Sequence, residues 1–491
     1  MKRDELVLLT CAQMAAADSA AVALGTPASE LMEAAGGAVA SAVMERFQRQ
    51  PLVVLCGPGN NGGDGFVAAR RLEAAGWPVR LALLGTLGAL KGDAARAARL
   101  WTRPVETLSF SLLEGSPLVV DALFGAGLSR PIEGLASQVL AEIDSRGLSV
   151  VAVDVPSGLH GDTGEVMGQS VRAMLTVTFF RGKPGHYSLA GRRLCGEILV
   201  TDIGIPAVVL DEIQPILWNN GPALWASLLR RNDIADHKYK RGHLTILGGA
   251  SATGAARLSA LSARRTGAGL VTIAAPRTAA PIYQGAEPGN LVAVSDGDDD
   301  FARLLADERR NAILIGPGSG RNERTRLAVL AGLGLRRSAV LDADALTVFA
   351  ERPAALFAAI AGPVLMTPHA GEFRHVFPDL ADIPSKVERT RAAARRSGAT
   401  ILLKGPDTVI AGPDGHAVIN VHAPAALATA GSGDVLSGIA AGLLAQGVAP
   451  LAAGAAAAWI HGECGYRFGR PGLIAEDLID CLPEALGTAM N

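Results

Sequence analysis

The stretch Leu52-Val53-Val54-Leu55-Cys56-Gly57-Pro58-Gly59-Asn60-Asn61-Gly62-Gly63-Asp64-Gly65 decides the fold of the first part of the chain. Its five leading apolar residues run without alternation, the pattern of a strand covered on both faces and hence of a parallel sheet. A glycine loop follows, then a helical pattern from Gly65 to Ala75 with Arg70 and Arg71. Strand, glycine turn and helix in that order open a βαβ unit. The Gly57-x-Gly59-x-x-Gly62 spacing lets backbone amides approach a phosphate at a helix N-terminus. The same spacing also serves as a tight turn and nothing more, and no ribose-binding acid stands about 20 residues onward.

Further apolar runs surround this segment. PVRLALL (78–84), PLVVDALF (117–124), SVVAVDVP (149–156), LTVTFF (175–180) and EILVTDIG (197–204) read as buried strands, with a helix between them at Leu135 to Ser145. The pattern pauses between Gly204 and Asp236, which puts a domain boundary near residues 212–228. It restarts with HLTILGG (243–249), a helix from Ala252, and strands at 270–276, 312–318, 339–346, 363–368, 400–405 and 408–412. Helices are expected after Arg321, Ser385 and Gly433. The fold class is α/β in two domains, at 1–215 and 225–491, each a three-layer αβα sandwich.

The 491 residues carry 45 basic and 47 acidic side chains, a net charge of −2 that supports neither nucleic-acid nor polybasic membrane binding. Hydrophobic residues make up 49%, and no low-complexity tract accompanies the 58 Gly and 27 Pro, which argues against disorder. Cys11, Cys56, Cys195, Cys464 and Cys481 are scattered and form no zinc spacing, as expected for buried thiols in a reducing compartment. Asp4 and Glu5 interrupt the basic opening, and Leu6 to Leu9 is too short for a signal core, so export is not expected. Val435 to Ile460 is uncharged and exceeds the roughly 20 residues that span a bilayer. Gln446 and the break at Gly447 to Pro450 divide it into two core helices instead.

Two more strand ends in the first half carry acids beside glycine loops. Asp121 leads into Gly125-Ala126-Gly127-Leu128-Ser129-Arg130-Pro131, and Asp154 leads into Val155-Pro156-Ser157-Gly158. That edge is where open α/β sheets bind ligands. Asn61, Asp121 and Ser157 offer hard oxygens, and their low charge suits a monovalent cation; the two acids also read as helix caps. NNGGDG, VDALFGAGLSRP, VDVPSGL and TVTFFRGKPG together resemble the YjeF-type N-terminal domain, the NAD(P)H-hydrate epimerases. Thr10 to Asp18 and Leu31 to Gly36 resemble that family's lid helices. The resemblance spans about residues 8–212. It implies a Rossmann-like fold in which Asn60, Asn61, Gly62, Gly63 and Asp64, with Gly125 to Pro131, hold the dinucleotide phosphates. It further implies potassium at Asn61, Asp121 and Ser157, and proton transfer at the hydrated ring by Asp154 with Lys183; Lys183-Pro184-Gly185 also reads as a turn.

In the second half His237 to His243 is a basic cluster, either a phosphate clamp or a solvated face. Gly316 to Gly320, Asp342 with Asp344, and Thr367-Pro368-His369-Ala370-Gly371-Glu372 each close a strand. Lys404-Gly405-Pro406-Asp407-Thr408 and Gly431-Ser432-Gly433-Asp434 are sharper, because helix amides after Gly431 form an anion hole and Asp434 can take a hydroxyl proton. GSGD before an apolar helix resembles the ribokinase-like superfamily. With HKYKRGH, GAGLVT, IGPGSG, LDADAL, TPHAGEF and KGPDT it resembles the ADP/ATP-dependent NAD(P)H-hydrate dehydratases over about residues 228–489. This implies adenine nucleotide at Lys404, Gly405, Pro406, Asp407, Thr408 and Gly433. The hydrated dinucleotide falls to Gly254, Ala255, Gly318, His369 and Asp434. The family's Pro-Glu pair after the GAGLVT strand is replaced here by Glu287 before Pro288.

The function expected is repair of hydrated NAD(P)H, by epimerisation in the first domain and ADP- or ATP-dependent dehydration of the S form in the second. K+ is expected in the first and Mg2+ with ADP or ATP in the second. Bacterial family members of this undivided order tend to use ADP. The expected partners are these small molecules and a second copy of the chain, not nucleic acid or membrane, in the cytoplasm. The alternative is a ribokinase-like kinase of a small alcohol beside a non-catalytic dinucleotide-binding module.

Overall fold

In the computed structural model, which describes residues 3–231 and 233–490, the chain forms two units. Val7–Pro215 is one; Ile216 onward is the other, joined by the opening turn Arg3–Leu6. Met1 and Asn491, the outer bounds of the two expected domains, lie outside the described residues.

The first unit has seven strands: β1 Leu52–Cys56, β2 Val79–Leu83, β3 Glu106–Thr107, β4 Leu118–Ala122, β5 Val150–Val153, β6 Leu175–Phe179 and β7 Glu197–Thr201. They lie side by side in the order β3-β2-β1-β4-β5-β6-β7, all parallel. Alternate residues of β1 feed opposite layers. Val53 and Leu55 pack with Val139, Leu140 and Ile143 of helix Gly134–Ser145. Val54 and Cys56 face Gly65 of helix Asn60–Ala74. The winding reverses between β1 and β4, so the loops after them diverge and leave a crevice at their C-terminal ends.

The second unit has β8 Leu217–Asn219, β9 His243–Leu247, β10 Leu270–Ala275, β11 Leu291–Val294, β12 Ala312–Ile315, β13 Ser338–Leu341, β14 Val364–Met366, β15 Thr400–Leu403, β16 Thr408–Ala411 and β17 Ala417–Asn420. Their order is β11-β10-β9-β12-β13-β14-β15-β16-β17-β8, parallel except for the antiparallel pairs β15/β16 and β16/β17. Winding reverses between β9 and β12. One face carries helices Thr253–Thr266, Ser432–Ala445, Pro450–Phe468 and Ala475–Met490 in a single apolar core, and Gly332 of helix Glu323–Gly334 meets Ile313 on the other.

The uncharged run is thus two helices broken at Gly447, and no described helix is long and apolar enough to cross a membrane. Its Ala and Gly content serves close packing: a Cβ on Gly438 would lie 2.0 Å from Ser262 Oγ on the neighbouring helix.

Four strands escaped the sequence reading. β3 has two residues, and β11 is a partly exposed edge. β8, at 217–219, precedes the expected domain start at 225 because the strand it pairs with, β17, is 200 residues away. β17 had a usable signal: Gly412-Pro413-Asp414-Gly415 is a hairpin turn, with Gly415 at φ +90° and Gly412 N donating to His416 O. The helix expected at Gly65 begins five residues earlier, at Asn60, so Asn60 to Asp64 form its first turn.

Gly65→Ala is expected to destabilise the first unit by about 1–3 kcal/mol through overpacking. The new Cβ would sit 2.7 Å from Ala122 Cβ and 2.8 Å from Cys56 Sγ. Denaturant unfolding of the variant checks it.

Candidate functional sites

At the edge of the first sheet, β5 runs directly into Asp154, a non-glycine residue with φ +68°. Such a conformation persists only when its surroundings hold it. Here Asp154 N donates to Val177 O at 2.8 Å, and His186 Nε2 lies 2.8 Å from Asp154 O. His186 Nδ1 accepts from Lys183 N at 3.0 Å, so Nε2 carries the proton. Burial holds this histidine neutral, down to about 4, reinforced by Lys183.

The Asp154 carboxylate is gripped from several sides. Lys183 Nζ stands 2.5 Å from Oδ1, Thr178 Oγ1 donates to Oδ1 at 3.1 Å, and Ala126 N donates to Oδ2 at 3.0 Å. Lys183 also donates to Thr178 Oγ1 at 2.7 Å. Burial alone would raise this carboxyl, but the Lys183 ammonium outweighs it and brings it down to about 2. Asp154 is therefore ionised at neutral pH.

Beside it opens a cavity of about 780 Å³ lined by Asn60, Asn61, Asp64, Gly125 to Arg130, Asp154 and Lys183, and by Cys11, Met14 and Asp18 of helix Cys11–Ala23. Of the expected residues, Gly62 and Gly63 lie behind this wall and Pro131 outside it. The glycines divide their work. A Cβ on Gly57 would meet Leu123 O at 1.8 Å, so this glycine closes the two loops against each other, and one on Gly62 would meet Gly57 O at 1.9 Å, packing the helix start onto its own loop. Gly59 and Gly127 border open space. Gly59 caps helix Asn60–Ala74 without a side-chain acceptor, which leaves first-turn amides available to an anion.

Asp121 and Ser157 are fully buried beneath the cavity. Asp121 accepts from Ser157 Oγ at 2.6 Å, Ser157 N at 2.8 Å and Leu123 N at 3.3 Å, and burial raises its carboxyl. No basic side chain pairs with it among the described residues. Asn61 Nδ2 is buried without a hydrogen-bond partner, and Asn61 Oδ1 would lie 3.1 Å from a Cβ on Gly125. One uncompensated carboxylate with neutral oxygens nearby is a donor set that fits a monovalent cation.

The second unit repeats the theme with different residues. At its reversal point a Cβ on Gly249 would meet Gly318 O at 1.7 Å, so the loops after β9 and β12 touch. Asp342 at the end of β13 is buried and pairs with Lys404 Nζ at 2.8 Å through Oδ1, while Ser437 Oγ donates to Oδ2. Ala343 follows at φ +44°. Lys404 also lies 3.7 Å from Glu372 Oε2, and a Cβ on Gly433 would approach Lys404 Nζ to 3.8 Å. His369 caps helix Ala370–Val376, its Nδ1 accepting from Gly371 N and Glu372 N, while Glu372 Oε2 accepts from His369 N at 2.8 Å. Burial raises Asp434 to about 6; Asp342 adds to this and Lys404 opposes it. Glu372 is raised by burial against the pull of Lys404.

Lys404, Gly433 and Asp434 thus converge, and Gly318 joins Ala252 at the start of the helix bearing Gly254 and Ala255. Asp407 turns the other way, its Oδ1 2.7 Å from Lys386 Nζ, and the Thr408 hydroxyl donates to Gly405 O to close the turn. Lys404 N donates to Pro368 O and Gly405 N to Thr408 Oγ1, so from that loop it is the Lys404 ammonium that approaches Gly433. Glu287, in the loop that departs from the resembled family, is tied to Arg257 at 3.0 Å.

Asp342, Glu372, Ser437, Thr178 and His186 were not among the expected site residues. Asp342 and Glu372 were legible as strand-end acids, but which acid meets Lys404 depends on the order of β13, β14 and β15.

Lys183→Met is expected to cost about 3–5 kcal/mol at pH 7, because it leaves Asp154 charged and unpaired. In the native protein the Asp154 carboxyl is depressed to about 2. Its stabilisation is therefore present above the ordinary carboxylate range and lost as pH falls toward 2. The variant's deficit should accordingly shrink in acid, as thermal unfolding between pH 7 and pH 3 would show.

Comparison with known proteins agrees with both halves. The family described as YjeF-related protein N-terminus matches residues 28–185, and that described as NAD(P)H-hydrate dehydratase matches residues 244–483. "Bifunctional NAD(P)H-hydrate repair enzyme Nnr" of Salinibacter ruber is 36% identical, over 97% of this chain and 95% of that protein. The protein of the same name from Moorella thermoacetica is 36% identical, over 98% of this chain and 97% of its own. Among solved structures, an ADP/ATP-dependent NAD(P)H-hydrate dehydratase from Bacillus subtilis, co-crystallised with ATP/Mg2+, is similar to this chain. It is 31% identical with a TM-score of 0.49, covering 54% of this chain and 95% of its own. Identity at this level, sustained across both units, shows that the chain belongs to the bifunctional NAD(P)H-hydrate repair enzyme family.

Proposed function

We propose that this chain repairs hydrated NAD(P)H in two stages, each at the strand ends of one unit. The first unit interconverts the R and S hydrates; the second dehydrates the S hydrate to NAD(P)H at the expense of ADP. The observation that carries this reading is the repeated arrangement of a buried carboxylate on lysine beside a glycine-walled crevice, in a chain whose relatives bear that name throughout their length.

In the first unit the dinucleotide phosphates sit against Asn60, Asn61, Asp64 and the loop Gly125 to Arg130, with Gly62 and Gly63 closing the wall behind them and the hydrated ring at Asp154. Asp154 takes and returns the proton of the hydroxyl on the hydrated carbon, and Lys183 holds it in place. Asn61, Asp121 and Ser157 would hold K+, which when bound neutralises the buried Asp121 and stiffens the loop joining it to Ser157.

In the second unit Gly254, Ala255, Gly318, His369 and Asp434 receive the S hydrate. Lys404 to Thr408 and Gly433 receive the adenine nucleotide. Asp434 accepts the proton of the ring hydroxyl as its oxygen forms a bond to the terminal phosphorus of ADP, and AMP departs. Amides at the start of helix Ser432–Ala445 and the Lys404 ammonium face the charge that develops. The carbon–oxygen bond then breaks, phosphate leaves with the electron pair, and loss of the neighbouring ring proton restores the dihydronicotinamide. Mg2+ would arrive on the nucleotide phosphates, with the Glu372 carboxylate beside Lys404 as the protein ligand that would hold it. When bound, it supplies charge neutralisation on the transferred phosphoryl group. A cytoplasmic setting and self-association complete the reading.

Incubation of the protein with S-hydrate and ADP should release AMP and phosphate in step with the return of reduced-nicotinamide absorbance. Asp434→Asn should lower that rate by about 100- to 10 000-fold. Because Asp434 is raised to about 6 and acts as a base, activity should fall as pH drops through 6. Lys404→Met should move that limb to higher pH, since Lys404 favours the ionised form. A rate independent of Asp434 would overturn the assignment.

A further inference from the structure

The first unit's cavity holds an acid that the two-stage reading leaves unused. Asp18 lies on helix Cys11–Ala23, whose buried residues Met14, Ala17 and Ala21 fix its seated face. The start of this helix is fastened down: Thr10 and Gln13 form a capping box, Cys11 N donates to Asp162 Oδ1 at 2.7 Å, and Cys11 Sγ donates to Ala126 O at 3.1 Å. Ala126 is the residue whose amide holds Asp154. Asp18 opens on the same cavity as Asp154 and Lys183, from a different wall. Among the described residues it makes no hydrogen bond or ion pair with any side chain or amide, unlike Asp154.

We propose that Asp18 is the second proton-transfer group of the epimerase site, acting on the face of the hydrated ring opposite to Asp154. This rests on the epimerase reading above. Inversion requires oxygen to leave one face of the carbon and arrive on the other, and a carboxylate locked at a strand end serves one face only. The acid on the first face gives its proton to the ring hydroxyl. The carbon–oxygen bond breaks, its electron pair leaves with water, and the ring nitrogen's lone pair forms a carbon–nitrogen double bond. Water on the second face then bonds to the carbon, its surplus proton passes to the other carboxylate, and the nitrogen recovers its pair. Nothing is consumed, and the two acids exchange roles for the other hand.

The surroundings suit unequal partners. Asp18 is open to solvent on its helix, yet the cavity wall around it raises it to about 6, with Lys183 opposing and Asp154 reinforcing, whereas Asp154 is held at about 2. The remaining titratable or charged groups on the cavity are Cys11, raised by burial to about 12, Asp64, raised by burial and by both acids, and Asp93, Arg130 and Lys183. Asp64 belongs to the first turn that faces the phosphates.

The test uses the full chain, purified R-hydrate of NADH and ¹⁸O-water, with hydrate hands separated by chromatography and oxygen counted by mass. Asp18→Asn should lower kcat for R-to-S conversion by at least about 100-fold with KM within about threefold. Asp18→Glu should restore part of it, and native enzyme should insert one labelled oxygen per inversion. A thermal unfolding profile of Asp18→Asn matching that of the native chain serves as the folding control for the first unit. Conversion by Asp18→Asn at the native rate, a loss confined to KM, or inversion without label would overturn the proposal. Absence of conversion by the native protein, or native conversion by Asp154→Asn, would instead overturn the epimerase reading itself.

Discussion

A carboxylate at the end of a buried parallel strand is costly to keep charged without a partner; Asp154 and Asp342 meet this constraint with a lysine, whereas Asp121 has hydrogen bonds from Ser157 and Leu123. Asp154 pairs with Lys183 and Asp342 with Lys404, each lysine supplied by a segment one or two strands further along the sheet. Coulomb attraction at these distances is strong because water is excluded, and both ammonium groups are hydrogen-bonded as well. Removing either lysine would strand a charge where solvation cannot reach it. The rest of each crevice is arranged around that pair.

What differs is the role left to the paired acid. Asp154 is itself open to the cavity and held near 2, ready to accept a proton. Asp342 is sealed in, with Ser437 on its second oxygen, and acts on Asp434 through charge alone. The same ion pair thus presents a cavity-lining carboxylate in one unit, while in the other it raises the proton affinity of a neighbour. Strained backbone accompanies both, at Asp154 and at Ala343, where the chain must turn sharply to bring the next group to the edge.

Glycine at the reversal points is a packing requirement before it is a ligand-binding one. Gly57 against Leu123 and Gly249 against Gly318 leave no room for a side chain, since backbone meets backbone. These contacts pull together loops that the winding of the sheet would otherwise spread, and so form the walls of each crevice. Gly59 and Gly127, by contrast, border space that a ligand can enter.

Continuous apolar runs such as Leu52 to Cys56 and Ala312 to Ile315 determined by themselves that parallel strands would form, because residues buried on both faces need no alternation. The glycine loops and strand-end acids were likewise legible, since local turn chemistry and strand polarity place them on one edge. Partners separated by many residues were not. The resemblance joins Lys183 to Asp154, but that Lys404 meets Asp342 rather than Asp344, that Asp407 turns to Lys386, and that Asp18 shares a cavity with Asp154 depend on strand order and helix seating. Tertiary structure alone decides these, because an ion pair forms between groups close in space, and sequence spacing carries no information about distance across a sheet.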